Sequence, residues 1–228
     1  MKYIKFFILF SFLASFSANA LLEVNIIKSK DDSFPIVIAP FEMIGNFQGD
    51  ADLAKIIREN LNRSGQFDAK STNQLMTGPI DFDFYLKHKK DAIVFGRIRQ
   101  ISSNVNHAEI YIYDVLTQKP LYVKKLAFTN GALRRTAHAL SDVIYYALLG
   151  QKGSFNTKLS FVTVNEEKNG KRKYRLVISD WDGKNQQVII GSDDPILSPA
   201  WSADQRKIAY VSFKNNRSDV FVKYVFQN

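Results

Sequence analysis

The sequence of 228 residues contains no cysteine. This absence excludes disulfide bonds, thiolate metal sites, a cysteine nucleophile and a lipid-modified amino-terminal cysteine. Histidine is also scarce, with only His88, His107 and His138 in the chain. None of them has a second histidine at a spacing typical of metal ligands. The sequence therefore predicts neither a bound metal ion nor a cofactor.

The common catalytic motifs are missing as well. The chain has no G-x-S-x-G elbow, no P-loop, no G-x-G-x-x-G turn and no H-E-x-x-H helix. His138 precedes Asp142 by four residues, which we interpret as a pair on the surface of a helix rather than a catalytic base. The segment Asp180 to Gly183 resembles the start of a calcium loop but lacks the later acidic ligands, so a β-turn is predicted there. We predict no catalytic residue and no enzymatic activity.

The long apolar run of the chain lies at its amino terminus. Two lysines precede the apolar residues 6–16, and a small-x-small motif ends at Ala20. This pattern predicts a secretory signal over residues 1–20 that is cleaved between Ala20 and Leu21. No other stretch approaches the length of a membrane span, so we expect an exported protein without a transmembrane segment after cleavage.

Positive charge is in excess. The formal net charge is +9, and removal of the two signal lysines leaves 9 − 2 = +7. The densest group of basic residues comprises Lys168, Lys171, Arg172, Lys173 and Arg175. An exported anion-binding module that uses this basic cluster is one alternative function. Nucleic acid is not an expected partner, because an exported chain rarely meets it.

Residues 35–150 have the pattern of an α/β domain. Pro35 to Pro40 is a continuous apolar run typical of a strand buried on both faces, and an amphipathic helix with Gly65 at its end follows between Asp50 and Ser64. Further strands are predicted at 66–69, 91–101, 106–116 and 121–128, a short helix or turn at 80–87 and a helix at 131–149. This order predicts a mixed sheet with helices.

The last helix and its surroundings carry three further expectations. Leu133, Ala137, Leu140, Ile144 and Leu148 form its apolar stripe, whereas Arg134, His138, Asp142 and Tyr145 are predicted to point more outward. Gly150 and Gly153 are predicted to supply a hinge-like linker. At the other end of the domain, residues 21–34 are predicted to be an edge strand or a mobile tail.

Residues 151–228 contain a repeated β pattern. In the stretch Ser198 to Ser212, we expect Pro199 at the start of a strand, an aromatic Trp201, a polar turn and a second strand. The strand from Ile208 matches the one from Leu159, at a separation of 208 − 159 = 49 residues. This period is typical of β-propeller blades of the WD40 or TolB type, and 78 residues amount to fewer than two of them. The alternative is a small β-sandwich built from two unrelated hairpins.

Several segments together resemble the TolB family of the Tol-Pal system. These segments are the export signal, Glu23 to Ile27, Pro35 to Phe41, Ala137 to Phe155, Ser179 to Gln186 and Ser198 to Ser202. The resemblance is collinear over the whole chain, whereas Ala203 and Gln205 depart from the proline and glycine that are usual in the family. It implies an α/β domain followed by a six-bladed propeller that is incomplete here.

The resemblance also implies a function. TolB-family proteins are monomeric, non-enzymatic periplasmic scaffolds that link the inner-membrane protein TolA to the lipoprotein Pal and support outer-membrane integrity during division. By position, the segment that would face TolA comprises Leu22, Glu23, Val24, Asn25, Ile26, Ile27 and Lys28, and no residue can be assigned to Pal. The alternative within the same resemblance is the propeller portion of a periplasmic serine peptidase.

Overall fold

The computed structural model describes residues 33–46 and 52–225, and its amino-terminal half is built on one five-stranded sheet. The strands lie in the order β2-β1-β3-β4-β5 and comprise β1 (Phe34–Ile44), β2 (Phe67–Ser71), β3 (Ala92–Gln100), β4 (Val105–Asp114) and β5 (Pro120–Thr129). β1 pairs in parallel with β2 and β3, whereas β3, β4 and β5 form an antiparallel meander. The predicted mixed sheet is therefore confirmed.

Three α-helices of the described chain accompany this sheet: α1 (Leu53–Arg63), α2 (Phe82–Lys87) and α3 (Leu133–Leu149). The carboxylate of Asp52 starts α1 by accepting the backbone N–H of Lys55 at 3.1 Å. Gly65 follows the end of that helix with a φ of +72°, a left-handed conformation that glycine adopts without steric cost. Asp50, also expected at the start of α1, lies outside the described residues.

The main hydrophobic core lies between one face of the sheet and the helices α1 and α3. Its fully buried members include Ile36, Ile38, Ile57, Leu61, Ile98, Ile110, Ile112, Leu140 and Ile144. The other face of the sheet is covered only in part, where Tyr85 of α2 packs on Val37, Ile93 and Val115. The rest of that second face, along β3 and β4, carries polar and aromatic side chains.

The carboxyl-terminal half contains two three-stranded antiparallel sheets. The first comprises β6 (Lys158–Glu166), β7 (Arg172–Asp180) and β8 (Gln187–Ser192), and the second β9 (Ile196–Trp201), β10 (Lys207–Ser212) and β11 (Asp219–Tyr224). Leu176 and Ile178 of β7 pack against Ile196 and Ile208 in a shared core. Within the described residues each sheet has one strand fewer than the four of a propeller blade, so these are unclosed propeller-type strands.

The predicted repeat is present as two equivalent hairpins. β6 pairs with β7 as β10 pairs with β11, and Leu159 and Ile208 lie in the corresponding first strands. One detail was wrong: Pro199 lies inside β9 rather than at its start. Ser198, with a φ of +51°, and Pro199 lie at a register shift opposite β10, which is where an edge strand tolerates a proline.

Among the described helices, none combines the length and apolar character that crossing a bilayer requires. The predicted cleavage site at Ala20 and Leu21 and the tail from Leu22 to Lys28 lie outside the described residues. They stay predictions.

Candidate functional site

The turn between β7 and β8 carries the side chains that join the two halves of the chain. The N–H of Gly183 donates to the carbonyl of Asp180 at 2.9 Å, and the N–H of Asp180 donates to the carbonyl of Lys184 at 2.9 Å. The predicted β-turn is therefore confirmed, with Gly183 at a φ of +80°. Its outer residues, Asp180, Trp181 and Asp182, contact α1 and α3, and we call this contact region the junction.

A buried amide organises the polar part of the junction. Asn60 of α1 is fully buried, and its side-chain N–H groups lie 2.9 Å from His138 Nδ1 and donate to Ser141 Oγ at 2.9 Å. Its side-chain oxygen accepts the indole N–H of Trp181 at 3.2 Å. These contacts satisfy three of the four hydrogen-bonding positions of the amide, which is what a buried polar side chain requires.

The Trp181 ring also packs against aromatic and cationic groups. Its centroid lies 5.0 Å from that of Phe155 in an edge-to-face arrangement, and the Arg63 guanidinium lies 5.5 Å from the indole centroid. Phe155 in turn packs edge-to-face on Tyr145 of α3, at 5.6 Å. Phe155 and Trp181 thereby join the core of the amino-terminal domain, which explains why the two halves of the chain are in firm contact.

Two carboxylates at the junction are paired with cations from both halves. Arg134 of α3 contacts the Asp182 carboxylate, and its Nε lies 3.6 Å from Asp180 Oδ2. The ammonium group of Lys158 lies 2.5 Å from Asp180 Oδ1. Burial by itself raises the pKa of Asp182, but the Lys184 N–H, Arg134 and His138 outweigh it and hold this pKa below its usual range.

His138 corrects an expectation from the sequence. It was expected to pair with Asp142 on the helix surface, but it is 2% exposed and its Nε2 lies 3.9 Å from Asp180 and 4.0 Å from Asp182. Burial lowers the pKa of His138, aided by the charge of Arg134, and the neighbouring carboxylates offset this only in part. His138 is therefore neutral at neutral pH. It is buried because α3 turns it towards the propeller strands rather than towards solvent.

Asp142 instead holds the linker after α3. Its carboxylate accepts the N–H of Phe155 at 2.8 Å and that of Asn156 at 3.1 Å. Gly153 lies directly against this carboxylate, since a Cβ at this position would lie 2.4 Å from Asp142 Oδ1. The predicted hinge-like linker is thus tied to α3, and Phe155 is placed where it meets Trp181.

His138, Asp180 and Asp182 have ligand atoms within 4.8 Å of one another, so the fold assembles a possible metal-binding group that the sequence did not predict. The donor set does not fit a metal ion. Trp181 fixes the orientation of the Asn60 amide, so the Asn60 N–H group faces His138 Nδ1, which must accept. The imidazole proton then lies on Nε2, and the carboxylates are already neutralised by Arg134 and Lys158. The arrangement is suited to holding two domains together.

The basic cluster of residues 168–175 is exposed and partly neutralised. Arg172 lies 3.7 Å from Glu166, and Lys173 contacts Asp193. Both ion pairs are well exposed to solvent, where salt weakens them. The cluster therefore presents less free positive charge than the sequence suggested.

Sequence reasoning missed Asn60 and the role of Trp181. A signal for Asn60 was present, because position 60 continues the apolar stripe of Leu53, Ile56 and Ile57, so a polar residue lies on the buried face of the helix. For Trp181 there was no such signal, because a turn residue shows no periodicity and its partner is 121 positions away.

Comparison with known proteins identifies the family. The family model described as the TolB amino-terminal domain matches residues 22–121, and that of the TolB beta propeller domain matches residues 145–227. The Tol-Pal system protein TolB of Ruthia magnifica subsp. Calyptogena magnifica is 48% identical over 92% of this chain and 49% of the relative. That of Vesicomyosocius okutanii subsp. Calyptogena okutanii is 46% identical over 91% of this chain and 49% of the relative.

A solved structure agrees with these relatives. The crystal structure of TolB from Acinetobacter baumannii matches with a TM-score of 0.74 and 33% identity, over 85% of this chain and 47% of that chain. The chain thus spans about half the length of the relatives it matches, and the propeller match replaces the alternative of a β-sandwich. Over its amino-terminal domain and the propeller strands that follow, the chain belongs to the TolB family.

Proposed function

We propose that the protein acts as a non-enzymatic periplasmic scaffold of the Tol-Pal system, linking TolA at the inner membrane to Pal at the outer membrane. The observation that carries this proposal is the collinear similarity to Tol-Pal system TolB proteins, at 48% identity over 92% of the chain. In this role it supports outer-membrane integrity and the invagination of that membrane during division.

The segment from Leu22 to Lys28 is the proposed TolA-binding tail. The described ladder of β1 and β2 begins at the pair Phe34 and Phe67, and the tail lies outside the described residues. A tail of alternating character can add to the sheet edge of a partner through its backbone N–H and C=O groups. β1, the first described strand after the tail, is fixed at its start, because the Phe34 N–H donates to the carbonyl of Gln66 at 2.8 Å.

The junction supports the same role physically. A scaffold that bears a load between two membranes needs its binding regions held on one body, and the Asn60, Trp181 and Arg134 contacts connect the domain that carries the tail to the propeller strands. These contacts are buried or partly buried and hydrogen-bonded, and such networks rigidify the structures that contain them.

The experiment is a pull-down of the exported, processed chain with the soluble part of TolA. Deletion of residues 22–28 is expected to abolish capture. A sharper pair is Val24→Pro against Val24→Ala, since proline removes a backbone donor that strand addition needs, whereas alanine keeps the backbone intact. We expect at least tenfold weaker capture for the proline variant and little change for alanine. Undiminished capture after the deletion would overturn the proposed role of the tail.

A further inference from the structure

A basic hollow lies on the second face of the amino-terminal sheet, the face that α1 and α3 do not cover. It has a volume of about 210 Å³ and is lined by Arg97, Arg99, His107, Glu109 and Lys125. The junction lies on α1 and α3, across the sheet from this hollow. Assembly of the propeller strands on those helices therefore leaves the hollow open.

Strand register gathers these side chains on one face. Arg97 of β3 lies opposite Glu109 of β4, and Glu109 lies opposite Lys125 of β5. Arg99 lies opposite His107 in the same way. Directly paired residues of antiparallel strands point to the same side of a sheet, so three neighbouring strands direct their polar groups into one space. The regular ladder makes this a preformed arrangement.

Positive charge prevails in the hollow. Arg97, Arg99 and Lys125 face a single carboxylate, that of Glu109, which lies 3.5 Å from Arg97 Nε. Among the described residues, Arg99 and Lys125 form no ion pair. Counting only the arginine, lysine and glutamate side chains, the formal charge of the lining is therefore 3 − 1 = +2.

Two side chains of the hollow differ in how they are held: the Arg97 guanidinium packs on an aromatic ring, whereas the His107 ring has a nitrogen without a partner among the described residues. The Arg97 guanidinium lies 5.3 Å from the centroid of Tyr111, which stacks on Phe95 at 5.2 Å, so its direction is set by ring packing. The Nδ1 atom of His107 is buried and has no hydrogen-bond partner among the described residues. His107 itself lines the hollow, so its ring reports whether a ligand binds there.

We propose that this hollow binds the phosphate group of an anionic ligand. A phosphate carries a charge near −2 and three or more acceptor oxygens, which match a lining of charge +2 whose donors come from three strands. A carboxylate has one charge and two oxygens, so it leaves one cation unpaired. The ligand is either a soluble phosphate or phosphomonoester or the phosphomonoester headgroup of phosphatidic acid in a membrane, since both present the same group.

The test compares two double variants of equal charge change. Arg99→Gln with Lys125→Gln alters the hollow, and Lys171→Gln with Arg172→Gln alters the basic cluster of residues 168–175. All four side chains are exposed, so both variants are expected to fold, which the urea midpoint checks. Binding of inorganic phosphate and of acetate is measured by calorimetry at constant ionic strength, and the His107 ring nitrogens are followed by NMR.

We expect wild type to bind phosphate at least tenfold more tightly than acetate, with a shift of the His107 nitrogen resonances. The variant of the hollow loses at least tenfold in phosphate affinity, whereas that of the cluster does not. Equal losses in both variants, or phosphate binding without a change at His107, would overturn the proposal. Flotation with phosphatidylcholine vesicles that contain or lack phosphatidic acid then distinguishes the source. Vesicle binding that phosphate competes away identifies a headgroup, and phosphate binding without vesicle binding identifies a soluble ligand.

Discussion

The indole N–H of Trp181 donates to the side-chain oxygen of Asn60 at 3.2 Å, although 121 positions separate the two residues. This bond joins the turn between β7 and β8 to α1, and it orients the amide whose N–H groups contact His138 and Ser141. The structure around this bond leads to four predictions about the junction.

Trp181→Phe removes the indole N–H and keeps an aromatic ring beside Phe155. We expect the free energy of unfolding to fall by about 1 kcal/mol or more, since the buried Asn60 oxygen loses its donor. Urea denaturation of this variant, of Asn60→Ala and of the double variant forms a double-mutant cycle, with an expected coupling energy of about 1 kcal/mol. Strict additivity of the two single changes would contradict the contact.

The stability of the junction is expected to depend on pH through His138. Because burial lowers its folded pKa below the ordinary 6.5, the unfolded chain binds more protons than the folded chain below that pH. The stabilisation contributed by neutral His138 is therefore complete above about pH 6.5. As the pH falls below this value, the free energy of unfolding declines by up to about 1.4 kcal/mol per pH unit. A protonated Nδ1 would also place an N–H against the Asn60 N–H group.

The measurement is the free energy of unfolding in urea between pH 7.5 and 5. His138→Gln should flatten this dependence, although it lowers stability at neutral pH. His88→Gln is the matched control, because His88 is exposed, and it should keep the wild-type slope. A slope that His138→Gln leaves unchanged would show that another group titrates in this range.

Arg134→Gln leaves the Asp180 and Asp182 carboxylates without their shared guanidinium. Because the Arg134 side chain is 24% exposed, we expect a loss of about 2 kcal/mol, less than for a fully buried pair. The pKa of Asp182 should rise towards its usual range, which NMR titration would detect. Arg135→Gln, at the exposed next position of the same helix, should change stability by less than about 0.5 kcal/mol.

Gly153→Ala should loosen the linker after α3. The new Cβ would lie 2.4 Å from Asp142 Oδ1, so either the carboxylate or the linker must move and the N–H bonds of Phe155 and Asn156 weaken. We expect a loss of about 1 to 3 kcal/mol and faster tryptic cleavage at Lys152. At Gly131 a Cβ meets nothing within 4 Å, so trypsin should cleave the Gly131→Ala variant at the wild-type rate.

The periodicity of apolar residues was sufficient to predict most helices and strands of the amino-terminal domain. The apolar run after Pro35, the stripe of Leu53, Ile56 and Ile57, and the alternation around Ile110 are local patterns, and each predicted an element that the structure contains. The hairpin repeat from Leu159 and Ile208 was visible for the same reason. His138 was misplaced because helical spacing defines which residues share a face, but not which outward face another domain will cover.

The sequence alone determined that the chain is α/β and then β, that it has the pattern of an export signal, and that it resembles the TolB family. These properties depend on local patterning and on motifs in order along the chain. Only the tertiary structure decided that Asn60, His138, Asp180 and Trp181 meet, and that strand register gathers Arg97, Arg99, His107 and Lys125 in one hollow. Such contacts depend on how helices and strands far apart in sequence pack and pair, which no local spacing encodes.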